Sequence, residues 1–239
     1  MEIVKGIEAV DLCLYIKKYK TLVISDIHLG YEESLNQRGV LVPRIQFDAI
    51  YEKLSKILIS RDIETVVITG DLKHEFGVIR ESEWKNILKI IDLFLGHCKK
   101  LVIIKGNHDV TLPFITRKKG IELSEYYKID DIFICHGDEV INNEDFMKSK
   151  IILIGHEHPA LGFRDKAKYE CFKCFLKGSF NDKILIVLPS FNPLTIGTDV
   201  LRNRLLSPFL QQDITKFQAY VTEKDMLYDF GKLKNFNNK

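Results

Sequence analysis

Short polar segments that follow apolar runs carry the residue types of a paired metal site. They supply carboxylates, one amide and several imidazoles, a mixture without thiolate that suits Mn²⁺, Fe or Zn²⁺. The candidate metal ligands, in chain order, are Asp26, His28, Asp71, Asn107, His136, His156 and His158. Two divalent ions held by such a set can make hydroxide at neutral pH and hold a phosphate ester in line with it. The segments therefore indicate phosphoester hydrolysis.

One segment, Gly-Asn-His-Asp at residues 106–109, adds candidate catalytic residues. The side-chain carbonyl of Asn107 can ligate a metal without adding negative charge. His108 can donate a proton to a leaving oxygen, and Asp109 can orient its imidazole. A glycine turn with an incidental histidine is the alternative for this segment alone.

Each segment is a weak signal by itself. Asp26 and His28 could lie in a solvated loop, and Asp71 after Gly70 could cap a helix. Asp26 and His28 lie at the end of a predicted strand, where the strand period of two sends both side chains to the same side, and His156 and His158 are expected to face one cavity in the same way. The combination of all the segments, each after an apolar run, favours function over these alternatives.

The elements that must position these residues follow from hydrophobic patterning. Apolar runs at residues 21–25, 65–69, 101–104, 132–135 and 151–154 predict strands whose ends carry the segments. Residues 44–60 and 83–97 have helical periodicity, whereas residues 126–128, 169–176 and 183–188 predict further strands. We therefore predict an α/β fold in which two sheets pack face to face with helices on their outer faces.

Length and composition limit the interpretation further. A chain of 239 residues that is 46% hydrophobic fits one domain, with a motif-bearing core at about residues 20–195 and a segment 196–239 packed on it. The formal charge of +2, from 35 basic and 33 acidic residues, does not imply nucleic-acid binding. No signal sequence or uncharged membrane-spanning run is present, and the five scattered cysteines do not suggest a disulfide framework. We expect a cytoplasmic protein with no membrane partner.

The ordered motifs D-x-H, G-D, G-N-H-(D/E), H and G-H-x-H resemble those of the calcineurin-like metallophosphoesterases over about residues 22–160. The resemblance implies a four-layer α-β-β-α sandwich of two mixed sheets and two bound metal ions, with Mn²⁺ favoured over Fe, Zn²⁺ or Ni²⁺. It assigns Asp26, His28, Asp71 and His158 to the first metal. It assigns Asp71, Asn107, His136 and His156 to the second, with Asp71 bridging, and it makes His108 the proton donor or transition-state stabiliser.

Within this superfamily the chain resembles the archaeal SbcD-related phosphoesterases and the bacterial ligase-associated DNA-damage-response endonucleases. The shared features include Asp-Ile-His-Leu-Gly, Gly-Asp-Leu-Lys-His, Gly-His-Glu-His-Pro and Leu-Pro-Ser-Phe-Asn. They imply a phosphodiesterase related to DNA repair, either a nuclease or a nucleotide phosphodiesterase, that uses a metal-bound hydroxide. His74, Arg38 and Arg44 are candidate substrate-binding residues, with ordinary surface residues as the alternative.

Other functions remain open at this stage. A phosphomonoesterase would use the same ligands, and a scaffold could retain the fold without catalysis. SbcD nucleases carry a cap domain and an ATPase-binding region for which this chain is too short, so we expect no stable ATPase partner. Lipid A pathway pyrophosphatases have arginine in place of His108, which counts against a lipid substrate. The expected partner is a phosphodiester in DNA, RNA or a nucleotide, and the hydrophobic segment 185–217 leaves a homodimer open.

Overall fold

The computed structural model of the chain describes residues 1–75, 81–109, 112–166, 168–223 and 226–236. The helices are α1 (Tyr31–Gln37), α2 (Gln46–Ile59), α3 (Glu81–Leu95), α4 (Pro113–Lys119) and α5 (Glu144–Lys148). The strands of the first half are β1 (Glu2–Val4), β2 (Ile7–Val10), β3 (Cys13–Ile16), β4 (Thr21–Ile24), β5 (Thr65–Ile68), β6 (Lys100–Ile104) and β7 (Glu122–Ser124). The strands of the second half are β8 (Tyr126–Ile129), β9 (Ile132–Cys135), β10 (Ile151–Ile154), β11 (Pro159–Asp165), β12 (Lys168–Phe180), β13 (Lys183–Val187), β14 (Thr198–Asp199), β15 (Gln218–Glu223) and β16 (Met226–Lys232).

The first sheet has the strand order β1-β2-β3-β4-β5-β6-β7. Its N-terminal strands pair antiparallel, whereas β4, β5, β6 and β7 run parallel. Parallel neighbours need a crossover, and α2 and α3 provide it between β4, β5 and β6. The register pairs Ile24 with Ile68 and Ile68 with Ile103, so the carboxyl ends of these strands reach the same edge.

The second sheet has the strand order β14-β11-β12-β13-β10-β9-β8, with β15 and β16 attached through β12. Its centre is parallel: Ile154 of β10 pairs with Cys135 of β9 and with Val187 of β13. Antiparallel neighbours surround this centre. The strands that carry histidine segments at their carboxyl ends, β9 and β10, are therefore adjacent and in register.

The two sheets pack against each other through alternate residues of the central strands. Val23, Val67 and Val102 of the first sheet share one buried cluster with Leu153 and Ile186 of the second. The intervening residues of the first sheet point the other way and pack with buried residues of α2 and α3, in a second cluster that includes Leu22, Ile24, Val66, Leu54 and Phe94. Successive residues of each strand therefore point alternately to the other sheet and to the helices, as the strand period of two requires.

The outer face of the second sheet is covered mainly by coil and short helices. A third buried cluster lies under this layer. It includes Phe146 of α5, Phe209 from a 3-10 helix at Pro208–Leu210, and Phe217 just before β15. Little of this layer is regular helix. No helix in the described part of the chain is long and apolar enough to span a bilayer.

The prediction of two mixed sheets with helices is confirmed. The helices predicted at 44–60 and 83–97 are α2 and α3, and the strands predicted before the polar segments are β4, β5, β6, β9 and β10. The patterning did not predict the strands β1, β2, β3, β7, β11, β14, β15 and β16, or the full length of β12, which extends to Phe180 rather than Leu176. The shortest of these strands give too few positions for a period to show. The interpretation as one domain stays a prediction.

Replacement of Ile186 by alanine tests the packing between the sheets. Ile186 is fully buried between them, so we expect Ile186→Ala to lower the free energy of unfolding by about 2–5 kcal/mol. The matched control is Ile59→Ala, because Ile59 at the end of α2 is 77% exposed and should cost no more than about 0.5 kcal/mol. Urea unfolding measures the free energy of unfolding of both variants. An equal decrease in the two variants would contradict the assignment of Ile186 to the core.

Candidate metal centre

The polar segments lie together because the central strands of both sheets end at one edge. The chain leaves β4 at Ile24, β5 at Ile68 and β10 at Ile154, and the next residues bond across the strands. Thr69 N–H donates to the Ile24 carbonyl at 2.8 Å, and Gly155 N–H donates to the His136 carbonyl at 2.8 Å. Segments distant in sequence therefore form one buried polar group.

Asp26, His28 and His158 form the first candidate ligand group. The Nε2 atoms of His28 and His158 are 3.3 Å apart, and His158 Nε2 is 3.4 Å from Asp26 Oδ1. Asp71 also contacts this group, with its Oδ2 3.7 Å from His28 Nε2. These are the four residues predicted for the first metal, and the structure brings all of them together.

Asp71 also lies in the second candidate group, where it meets His136. Its Oδ2 is 3.6 Å from His136 Nε2, which in turn is 3.0 Å from Asn107 Oδ1 and 3.2 Å from His156 Nδ1. The Nδ1 of His136 donates to the Thr69 carbonyl at 2.8 Å, which leaves Nε2 to face Asp71. The four residues predicted for the second metal are thus adjacent, and Asp71 lies between the two groups.

The backbone that presents several of these side chains is left-handed rather than extended. Positive φ angles occur at Asp26 (51°), His28 (48°), Asp71 (49°), His156 (66°) and His158 (51°). The prediction that the strand period carries Asp26 and His28 to one side is therefore wrong, because β4 ends before them, and it is wrong for His156 and His158 after β10 for the same reason. Non-glycine residues adopt this region at a cost of about 1–3 kcal/mol each, which the surrounding contacts must offset.

Two glycines are required because a side chain would collide with the carboxylates. A Cβ on Gly106 would lie 2.1 Å from Asp71 Oδ1, and a Cβ on Gly155 would lie 1.8 Å from Ser25 Oγ and 2.5 Å from Asp26 Oδ2. In place of a side chain, backbone N–H groups approach: His156 N donates to Asp26 Oδ2 at 2.9 Å. The G-N-H and G-H-x-H spacings thus reflect close packing of the loops against the two aspartates.

His108 lies at the edge of this group, with its Nε2 3.7 Å from Asp71 Oδ2. Its Nδ1 donates to the carbonyl oxygen of His74, and its backbone N–H donates to Asp71 Oδ1 at 3.0 Å. The structure differs here from the prediction that Asp109 orients the imidazole. The carboxylate of Asp109 is fully buried and accepts backbone N–H groups of Gly106, Leu72 and Lys73 at 3.1–3.4 Å, so it joins two ligand loops instead.

The predicted substrate-binding residues lie on the side of the group that faces α1. The His74 ring is stacked on that of His108 with centroids 5.5 Å apart, and it contacts Tyr31 of α1 at 4.6 Å. Arg38 is exposed just after α1. Burial lowers the pKa of His74, and the charges of His108 and Arg38 act in the same direction. Arg44 is exposed two residues before Gln46, whose amide donates to the His28 carbonyl at 2.8 Å.

Electrostatics of the two aspartates favour a bound cation. Burial raises the pKa of Asp71 to about 8, and the negative charge of Asp26 acts in the same direction. Burial also opposes the charge of Asp26, but His158, His136 and His28 outweigh it and hold the pKa of Asp26 well below its usual range. Two buried carboxylates so close together cannot both be charged at low cost unless cations lie between them.

The donor atoms of this group fit divalent metals. Asp26 Oδ1 and His28 Nδ1 are buried and have no hydrogen-bond partner among the residues described. The carboxylate, amide and imidazole donors match the ligand preferences of Mn²⁺, Fe and Zn²⁺. We therefore regard Asp26, His28, Asp71, His136 and His158 as candidate metal-binding residues, with Asn107 and His156 beside them.

Sequence reasoning missed the residues that support the ligands from outside the motifs. Ser190 Oγ donates to the Asp26 carbonyl at 2.8 Å, and Phe191 N donates to the Ser25 carbonyl at 2.9 Å. Lys173 fixes the same turn, because its ammonium donates to the Ser190 carbonyl at 2.7 Å and to that of Asn192. Burial lowers the pKa of Lys173 to about 7. The Leu-Pro-Ser-Phe-Asn sequence was a visible signal for this turn, whereas nothing marked Lys173.

Comparison with known proteins gives the following matches. The family model described as calcineurin-like phosphoesterase matches residues 19–187. Among solved structures, the chain is similar to nuclease MPE of Pseudomonas putida, with 18% identity and a TM-score of 0.65 over 94% of each chain. It is less similar to a single mutant of Vps29 from Entamoeba histolytica, with 17% identity and a TM-score of 0.40 over 88% of this chain and 99% of that one. Comparison with curated protein sequences gives no match.

The family match covers well over half of the chain and includes every loop that supplies a candidate ligand. Nuclease MPE has a similar fold, with a TM-score of 0.65, although its sequence identity to the chain is low. On the family match, the chain belongs to the calcineurin-like phosphoesterase family.

Proposed function

We propose that the chain is a dinuclear-metal-dependent phosphodiesterase. The observation that carries the proposal is the position of Asp71 between two ligand groups, with Oδ2 3.7 Å from His28 Nε2 and 3.6 Å from His136 Nε2. A carboxylate in that position can bridge two ions. The two aspartates neutralise only part of the charge of two divalent ions, so the loaded centre attracts a phosphate.

Divalent ions bound there would lower the pKa of a water molecule and polarise the phosphoryl group. The residues of the chain orient the other parts of the reaction. His108 keeps a proton on Nδ1 for the His74 carbonyl, which leaves Nε2 directed into the site. Burial lowers the pKa of His108, and the charge of a bound phosphate would oppose that shift, so that Nε2 can carry a proton to the leaving oxygen.

We favour a nuclease or nucleotide phosphodiesterase related to DNA repair, with Mn²⁺ as the metal. The support is the likeness of the motifs to DNA-processing phosphoesterases and a fold similar to that of a protein described as a nuclease. Exposed cations also lie near the site. Arg38 and Arg44 are on the α1 side, and Lys105 lines a cavity of about 190 Å³ beside Asn107 and His136, together with Glu125, Asp138 and Glu139. The proposed contacts of a polyanionic strand are with the two arginines.

We also propose that the protein is cytoplasmic, and the free state of the described cysteines supports this location.

Two alternative functions, a scaffold and a phosphomonoesterase, bear on the proposed reaction. A scaffold without catalysis has no physical need for two aspartates buried among several imidazoles. A phosphomonoesterase would use the same residues, so only substrate preference separates it from a phosphodiesterase.

A pair of chromogenic esters tests the reaction type. With Mn²⁺ present, we expect faster hydrolysis of bis(4-nitrophenyl) phosphate than of 4-nitrophenyl phosphate, because a phosphodiesterase site contacts the second ester group, which the monoester lacks. A chelator should abolish turnover of both, and Mn²⁺ should restore it. Preference for the monoester would favour the phosphomonoesterase, and no turnover of either ester by metal-loaded protein would favour the scaffold.

Removal of the His108 imidazole separates catalysis from metal binding. We expect His108→Ala to lower kcat for the diester by about 10²- to 10⁴-fold, the usual contribution of a positioned acid, without loss of bound Mn²⁺. The control is His97→Ala, because His97 follows α3 and its Nδ1 contacts the Leu93 carbonyl at 2.9 Å, away from the ligand loops. Steady-state kinetics measures kcat, and metal analysis measures the bound Mn²⁺ of each variant. An unchanged kcat in His108→Ala would rule out His108 as the proposed acid.

Neutralising the two arginines tests whether a nucleic acid is the substrate. We expect Arg38→Gln and Arg44→Gln to slow cleavage of a DNA oligonucleotide. Each variant should also reduce the slope of log affinity against log salt by about one, because one phosphate is no longer neutralised. Hydrolysis of bis(4-nitrophenyl) phosphate should stay unchanged. Lys234→Gln, an exposed cation near the C-terminus, is the control. Equal effects on both substrates would contradict a role in strand binding.

A further inference from the structure

Glu157, between His156 and His158, has a carboxylate that makes bonds outside the ligand group. Its side chain is buried, and Oε2 accepts the backbone N–H groups of Leu206 at 2.7 Å and Ser207 at 2.8 Å. The loop that carries two candidate ligands is therefore attached to a segment about fifty residues later in the chain.

The same segment is attached to the loop after β9. Ser207 is fully buried, and its hydroxyl donates to the Gly137 carbonyl at 2.7 Å. Gly137 follows His136, so residues 206–207 contact the backbone beside both His136 and His156. The two imidazoles are 3.2 Å apart. Phe209 and Leu210, just beyond, are buried in the cluster that covers the second sheet, which fixes the segment to the core.

We propose that Glu157 and Ser207 form a clasp that positions His136 and His156 for one of the two metal ions. The inference rests on the proposed dinuclear centre. His156 has a positive φ angle of 66°, a conformation that persists only where surrounding contacts enforce it. The bonds to Glu157 provide such contacts on one side of the loop, and the bond from His156 N–H to Asp26 at 2.9 Å provides them on the other.

The geometry predicts which feature of Glu157 matters. Both N–H groups bond to Oε2, and Oε1 accepts neither of them. A glutamine can present its amide oxygen in the place of Oε2 and keep both bonds. Glu157 is thus a positioning residue that acts through hydrogen bonds, and its replacement by glutamine should preserve the clasp.

Metal binding by the full-length variants tests the clasp independently of catalysis. Wild type, Glu157→Ala, Glu157→Gln and Ser207→Ala are titrated with Mn²⁺ by calorimetry, and bound metal is measured after dialysis. We expect two ions in wild type. In Glu157→Ala, one ion should bind with unchanged affinity and the other about 10- to 100-fold more weakly, as for other supporting residues of metal ligands. Ser207→Ala should weaken the same ion, and Glu157→Gln should resemble wild type.

Asn143→Ala is the control for a general loss of stability. Asn143 caps α5 by accepting the Phe146 N–H at 2.8 Å, so its loss should lower Tm without changing Mn²⁺ affinity. Kinetics add a second readout: excess Mn²⁺ should restore kcat in Glu157→Ala, which a merely structural defect would not allow.

The possible results separate the clasp from the proposed function. Two ions bound by Glu157→Ala with wild-type affinity, or equal weakening of both ions, would overturn the clasp while the metal centre stands. Glu157→Gln behaving like Glu157→Ala would also overturn it, because charge rather than hydrogen bonding would then be decisive. Wild type that binds fewer than two ions would overturn the dinuclear centre and, with it, the role of the clasp.

Discussion

The burial of two aspartates in one pocket is the constraint on which the rest of this structure depends. Asp26 is completely buried and Asp71 nearly so, and both lie within 4 Å of histidine nitrogens. Burying one unpaired carboxylate is costly, and burying two side by side is more so. Imidazoles and backbone N–H groups offset part of that cost, and cations would offset the remainder. The protein therefore holds in place a site whose stability and chemistry both call for metal ions.

Two features of the fold meet this constraint. Strand ends in register bring the loops to one edge, since Ile24 pairs with Ile68, and Ile154 pairs with Cys135. The loops then turn sharply through left-handed residues, and glycines at 106 and 155 leave room for backbone N–H groups to approach the carboxylates. The central strands beneath these turns are buried between the two sheets, so the strained backbone is supported from the core.

The later part of the chain completes the site from outside the ligand motifs. The turn at residues 190–192 contacts Asp26 and Ser25 through backbone and hydroxyl groups, and Lys173 from β12 holds that turn. Residues 206–207 contact the loops of His136 and His156. Supporting contacts of this kind set the orientation of a ligand and hence its affinity for metal. They also explain why the segment after β13 packs on the sheet edge although it supplies no candidate ligand.

The sequence by itself determined the set of candidate ligands and the strands that precede them. Apolar runs before Asp26, Asp71, His136 and His156 predicted the strands within one residue, because a buried parallel strand reads as a continuous apolar run. The tertiary structure alone decided how the side chains converge. The left-handed turns at Asp26 and His28, the pairing of His108 with the His74 carbonyl, and the bonds from Glu157 to Leu206 and Ser207 depend on contacts between distant segments. Local periodicity carries no information about such contacts, and so they could not be predicted from the sequence pattern.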